Sequence, residues 1–257
     1  MNNKTINTEQ GHWILAKMGK KVLRPGGKEL TLKLVEGLKI NSNDAVVEFA
    51  PGMGFTASLA LQENPKSYTG IELNEEAANL LRKKFSGREV QIVNKTAAET
   101  GLENCCVHKV FGEAMLTMQA DHRKSEIIRE AYRLLKKGGC YGIHELGLKP
   151  DDLDPKLKGT IQRKLAQVIK VNARPLTCRE WCKILEDEGF KIKDVYSSPM
   201  HLLKPQRVLN DEGLLTSLKI AYNILTHPAE KQRIKKMREI FKKYEEYLTA
   251  FAIIAEK

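Results

Sequence analysis

Apolar positions change their period along this chain, and each change marks a different kind of element. Up to about residue 40 they recur at helical spacing, broken at Arg24-Pro25-Gly26-Gly27. From Asp44 onward, short β-branched runs alternate with longer amphipathic stretches. Strands are predicted over residues 45–49, 67–72, 90–93, 107–111 and 140–145, and helices over 55–62, 75–85 and 126–135. The last helix should stop at Lys136-Lys137-Gly138-Gly139, where basic residues suit the carbonyl end and glycine ends the turn. Strand–helix alternation of this kind demands a parallel sheet covered on both faces.

Beyond the fifth strand the rhythm changes. Residues 149–174 are charged and helical in part, over 157–171. Pro175-Leu176-Thr177 then opens a helix with a capping box, Thr177 with Glu180 three residues on, and that helix stops at Gly189. Residues 190–196 alternate as a strand. The segment 204–247 reads as two helices broken near His227-Pro228, the first beginning after the potential caps Asn210-Asp211. Residues 248–255 are apolar and strand-like, so an antiparallel hairpin should finish the sheet, with the helical excursion packed over one edge.

Composition narrows the class. A length of 257 residues with 42% hydrophobic content supports one substantial core. No N-terminal run resembles a signal peptide, and no stretch approaches the roughly 20 apolar residues that span a bilayer, so the expected location is cytoplasmic. Five cysteines, none in a CxxC pair, fit free thiols, and no metal site is expected. The net charge of +11 invites a nucleic-acid reading. Much of it lies between Lys231 and Arg238, opposite Ile234, Met237, Ile240, Phe241 and Tyr244 at helical spacing, as on a solvated helix face.

The chemistry concentrates in Ala45-Val46-Val47-Glu48-Phe49-Ala50-Pro51-Gly52-Met53-Gly54-Phe55-Thr56, a buried strand, a tight turn and a helix start. Glycines there let the backbone approach a ligand, and the helix start offers unpaired N–H groups. No GxxxxGK follows, which excludes a P-loop. A dinucleotide GxGxxG fails as well, because its three positions hold Ala50, Gly52 and Phe55. Glu48, Ala50, Gly52 and Gly54 instead give an acidic strand end followed by small-x-Gly-x-Gly, which resembles motif I of the class I S-adenosylmethionine-dependent methyltransferases. Glu72 ends the second strand, and the stretch from Glu130 to Gly139 looks like the "E-x-x-R-x-L-K-P-G-G" run of small-molecule members, the ubiquinone- and sterol-methyltransferase-like branch.

The resemblance implies an α/β fold: a Rossmann-like, seven-stranded, mostly parallel sheet with a C-terminal antiparallel hairpin, an N-terminal helical lid and a helical cap insertion. One domain over 1–257 is expected, with the lid at 1–40, the core at 41–203 and 247–257, and the cap at 204–246. S-adenosylmethionine is the implied cofactor and S-adenosylhomocysteine the product. Glu48 and the turn Ala50, Pro51, Gly52 and Gly54 would hold the methionyl end, Glu72 the ribose, and Leu73 one adenine face. Thr96 and Ala97 would lie at the adenine edge, and Glu113 at the pocket mouth. Ala50 stands where the family has its first glycine, which suits a negative φ. Thr96 replaces the usual acidic residue, with Asn94 as an alternative partner.

Ligands sit beyond the carboxyl ends of the strands in such sheets. Glu113, His144 and Glu145 are therefore the candidates for substrate contact or general base, with capping of the following loop the alternative for Glu145. His12 and His201 could touch a substrate, and Arg24 could pair with a carboxylate. Tyr68 and Trp181 read as packing. A small-molecule acceptor is the leading expectation. The alternatives are RNA methylation, which the absence of an Asn/Asp-Pro-Pro-Tyr/Phe motif at Gly112-Glu113-Ala114-Met115 argues against, and a cofactor-binding protein without catalysis.

Overall fold

A computed structural model describes residues 11–20, 24–200 and 205–257. In chain order the elements are α1 (Gly11–Lys17), α2 (Gly27–Leu38), β1 (Ala45–Phe49), α3 (Phe55–Ala60), β2 (Ser67–Ile71), α4 (Glu75–Lys84) and β3 (Val90–Val93). Then come β4 (Val107–Glu113), α5 (Asp121–Leu134), β5 (Leu135–Leu148), α6 (Pro155–Ile169), β6 (Leu176–Thr177), α7 (Cys178–Asp187) and β7 (Lys191–Pro199). The chain continues through α8 (Pro205–Glu212), α9 (Leu214–Thr226), α10 (Pro228–Lys243) and β8 (Leu248–Glu256).

The sheet runs β3-β2-β1-β4-β5-β8-β7, with the two-residue β6 paired to β5. Pairs among β1 to β6 are parallel, whereas β8 is antiparallel to both β5 and β7. The expected mostly parallel Rossmann-like sheet with a closing antiparallel pair is what forms. The eighth strand, β6, is too short for alternation to reveal.

Alternation along the strands builds a core on each face. Val47 and Phe49 of β1 join Ile127, Ile128 and Ala131 of α5 and Trp181 of α7. On the other face Val46 meets Leu30, Leu34 and Leu38, the stripe of α2. Each such buried aliphatic side chain contributes roughly 1.5–3 kcal/mol. Gly142 of β5 allows that packing, since a Cβ there would come within 2.9 Å of Leu34 Cδ1. Thus α2 is a core helix, whereas α1 lines a pocket through Gly11 and Leu15. A third apolar cluster lies under α1, α6 and α10.

Several boundaries differ from expectation. The helix α5 starts at Asp121 and ends at Leu134, so Lys136 to Gly139 belong to the start of β5. Leu135 already pairs with Val107, and Gly138 turns the strand at φ +76°. The excursion holds three helices, because Gly213 (φ +78°) separates α8 from α9; Asn210 and Asp211 lie inside α8 and do not begin a helix, and Asp211 instead accepts from the Lys28 N–H in the first turn of α2 at 3.0 Å. The capping box of Thr177 and Glu180 forms as expected. Glu130 accepts bonds from the Thr100 N–H and hydroxyl, and Arg133 donates to the Leu102 carbonyl, so that pair anchors the loop before β4.

Candidate active site

The glycine turn follows β1 at the carboxyl edge of the sheet. Ala50, Gly52 and Gly54 all take left-handed φ, at 52°, 56° and 68°. Ala50 therefore does not have the negative φ expected of it; a glycine's usual place is filled by a residue that bears the left-handed cost of about 1 kcal/mol. At Gly52 a Cβ would find open space, with nothing nearer than the Ala50 carbonyl at 3.9 Å, so the backbone there is uncovered. Gly54 is different: a Cβ would meet Leu81 Cδ2 at 2.7 Å, where α3 and α4 approach. Lys84 donates to the Gly54 carbonyl at 2.6 Å and to that of Met53 at 3.0 Å, which holds the turn from below.

Beside the turn, Glu72 accepts from the Gly52 N–H at 3.1 Å and the Asn74 N–H at 2.9 Å. Burial raises its pKa, and these backbone donors oppose the rise. Leu73, next in sequence, is 65% exposed, an uncovered apolar face beside a carboxylate. Asn94 spends its amide on the Glu72 and Leu73 carbonyls, so it fixes the end of β2. The Thr96 hydroxyl accepts from Arg123 at 2.9 Å and from the Ala98 N–H at 3.3 Å, and Ala97 is buried against the core.

Deeper in, two carboxylates titrate in opposite directions. Burial pushes Glu48 up to about 8, although the Tyr68 hydroxyl donates to it at 2.5 Å. Tyr68, read from sequence as packing, is thus also the polar partner of Glu48. Burial would raise Glu113 too, but Arg24, His144 and the Thr56 hydroxyl outweigh it and hold Glu113 at about 2. One oxygen of Glu113 accepts from Thr31 at 2.8 Å and faces His144 Nδ1 at 2.6 Å; the other is held by Thr56 and Arg24. Three hydrogen-bond partners and the Arg24 ion pair thus enclose that carboxylate. His144 Nε2 faces the Pro25 carbonyl at 2.5 Å, so both ring nitrogens meet oxygen atoms. Arg24 is buried in this network and also lies 5.8 Å from the Phe55 ring centre.

Glu145 stands apart. One oxygen accepts from the Met115 and Leu116 N–H groups, the other from the N–H and hydroxyl of Thr117. The side chain is fully buried, and its acceptor positions are filled. The geometry corrects the reading of Glu145 as a base or substrate contact; it ties down the loop after β4. The side chain of His12 and the whole of His201 lie outside the described residues. Among the described residues no cluster of His, Cys, Asp or Glu is arranged to hold a metal ion.

A pocket with about 640 Å³ of free space, part of it open to solvent, lies beside Ala114, just past the end of β4, and Leu146, near the end of β5. Its other walls come from α1 (Leu15), the end of α6 (Ile169) and α10 (Met237, Phe241), with Pro25, Met118 and Met200. Among the described residues Thr117 is its one polar side chain, and the hydroxyl is already bound to Glu145. Pro25 and Ala114 put the pocket next to Arg24 and Glu113. Sequence reasoning missed Thr31 and Thr56 as partners of Glu113, and missed the methionine-rich wall; no local pattern marks either.

A family model described as a methyltransferase domain matches residues 46–139, which contain the glycine turn, Glu72 and Glu113. An uncharacterized protein of Haemophilus influenzae is 31% identical over 97% of this chain and 98% of its own length. A ribosomal RNA small subunit methyltransferase A of Fusobacterium nucleatum is 41% identical over 61 residues, 24% of this chain and 23% of that protein. The phosphoethanolamine N-methyltransferase 2 of Haemonchus contortus, solved in complex with S-adenosyl-L-methionine, superposes with a TM-score of 0.73 at 18% identity, over 99% of this chain and 58% of that one. With that match spanning the glycine turn and this strand order around it, residues 46–139 form a methyltransferase domain on a Rossmann-like sheet, a family whose methyl donor is S-adenosylmethionine.

Proposed function

We propose that the chain transfers the methyl group to a small apolar acceptor seated in the pocket beside Ala114 and Leu146. The observation that carries this reading is the wall itself: aliphatic, methionine and phenylalanine side chains, with a single hydroxyl, already engaged, among the described residues. Such a wall desolvates its guest and favours an apolar one.

When bound, S-adenosylmethionine supplies an electrophilic methyl carbon on a sulfonium sulfur. The residues present fit it. Bare backbone at Gly52 admits the methionyl chain closely, Glu72 lies where ribose hydroxyls would donate, and exposed Leu73 offers an apolar face to the base. Ala50, Pro51 and Gly54 shape the turn, and Thr96 and Ala97 border the adenine edge. Glu48 and Glu113 are buried at the ends of β1 and β4; Glu113, paired with Arg24, fixes Thr56 and His144, and His144 in turn fixes Pro25.

Catalysis then rests on alignment and exclusion of water, the main needs of an in-line displacement. The walls of the pocket contribute no ionisable side chain among the described residues. In this reading Glu113 and His144 are positioning residues.

Calorimetry and labelled-methyl transfer test the proposal together. Wild-type protein should bind S-adenosylmethionine and S-adenosylhomocysteine, and Glu72→Ala should weaken both by about tenfold or more, the effect of losing a charge-assisted bond pair. Met237→Trp, which fills the pocket, should keep cofactor binding and lose transfer to apolar acceptors. Transfer to polar acceptors that Met237→Trp leaves unchanged would overturn the acceptor assignment. RNA methylation has the 61-residue similarity and the charge of +11 in its favour. A gel-shift titration at two salt concentrations separates it, because phosphate contacts make affinity fall steeply with salt.

A further inference from the structure

The helix α9 presents its apolar side to water. Leu214, Leu215, Leu218, Tyr222 and Leu225 are 59 to 83% exposed, whereas Ile220 is its buried side chain. At 3.6 residues per turn those five fall within an arc of about 100°. The helix contains no acidic residue, and its one charged side chain, Lys219, lies at the margin of the arc. Its inner side uses polar groups: Asn223 donates to the Met18 carbonyl at 3.0 Å, and Ser217 to that of Val208 at 3.3 Å. A contiguous apolar face of this kind on a folded domain marks a contact surface.

Charge selects the occupant. The helix α10, joined to α9 through His227, exposes Lys231, Lys235, Lys236 and Arg238. Residues 205–243 hold nine Lys or Arg against four Asp or Glu. A second copy would bring the same positive field to its like, in a chain already at +11. An anionic lipid surface answers both features at once: acyl chains for the leucines, negative headgroups for α10, and a headgroup-level site for Tyr222. We propose that α9 lies flat in the surface of an anionic bilayer, with the basic face of α10 supplying the attraction. This is attachment at a surface, since among the described residues no helix is long and apolar enough to cross a membrane. It does not depend on which acceptor the pocket takes.

Vesicle flotation of the full chain tests it. Phosphatidylcholine vesicles containing phosphatidylglycerol should carry the protein, and pure phosphatidylcholine vesicles should carry about tenfold less. Raising salt from about 50 to about 500 mM should release most of it. The Leu215→Glu/Leu218→Glu variant should lose vesicle binding by about tenfold or more, with its melting curve and S-adenosylmethionine binding unchanged. Lys235→Glu/Lys236→Glu should weaken binding and flatten its salt dependence. Leu218→Trp gives an independent readout, a blue-shifted emission on anionic vesicles in a protein that keeps all its charges. No binding to either vesicle, or binding that both variants leave intact, overturns the proposal. So does a salt-resistant dimer in light scattering that the leucine variant converts to monomer, which would assign α9 to a second copy.

Discussion

Glu48 and Glu113 sit on adjacent strands, and their surroundings drive them to opposite ends of the carboxyl range. Burial takes Glu48 from 4.5 to about 8, so the folded chain holds a proton there that the unfolded chain has already released. Its contribution to stability is full below about 4.5 and is lost as pH rises through about 8. Each unit of difference is worth about 1.4 kcal/mol, so the loss amounts to a few kcal/mol. Glu48→Gln keeps a neutral side chain at every pH; denaturant melts without cofactor should show that loss flattened in the variant, and an unchanged slope would mean that Glu48 is ionised in the fold. Glu113, held at about 2 against its own burial, contributes in the other direction. Its stabilisation is present above about 4.5 and disappears as pH falls toward about 2. The carboxylates themselves were legible in the sequence as strand-end acids. Their partners were not: Arg24, Thr31 and Thr56 reach Glu113, and Pro25 reaches His144, across separations that only the folded sheet closes.

The turn after β1 shows how two glycines in one element can serve different needs. Gly54→Ala combines left-handed strain with a Cβ 2.7 Å from Leu81 and 3.0 Å from Phe85, so it should cost roughly 2–4 kcal/mol of stability. Gly52→Ala bears the strain alone, about 1 kcal/mol, but its methyl stands in open space. Denaturation paired with calorimetry should find Gly54→Ala the less stable and Gly52→Ala disproportionately poor at binding S-adenosylmethionine. Equal stability losses would mean that the contact of α3 with α4 yields freely. This element was readable because positive φ leaves few residue choices, and the same rule makes Ala50 the unexpected member. The division of 205–243 was harder to read. Gly213 breaks the run without an apolar interruption, and β6 offers two residues to a pattern that needs at least four.

Across the molecule, burial differs sharply between the inner strands of the sheet and the helical excursion. Every residue of β8 from Leu248 to Ala255 is buried, as is β5 from Tyr141's neighbours Gly142 through Leu148, whereas α8 has no buried residue and α9 has Ile220. Hydrogen exchange should therefore find amides of β5 and β8 opening only with global unfolding and those of α8 and α9 opening first. Uniform protection would show that the helical excursion is held as firmly as the sheet. The place of β8 also has a bearing on how the chain is made. It follows every other element in sequence, yet it is hydrogen-bonded between β5 and β7. Translation delivers β1 to β4 early, and they can pair as they emerge. While residues 248–256 are still within the ribosome, β7 has no neighbour and β5 keeps an open edge. For that interval the nascent chain displays two unpaired strand edges, a state that chaperones bind and that aggregation exploits.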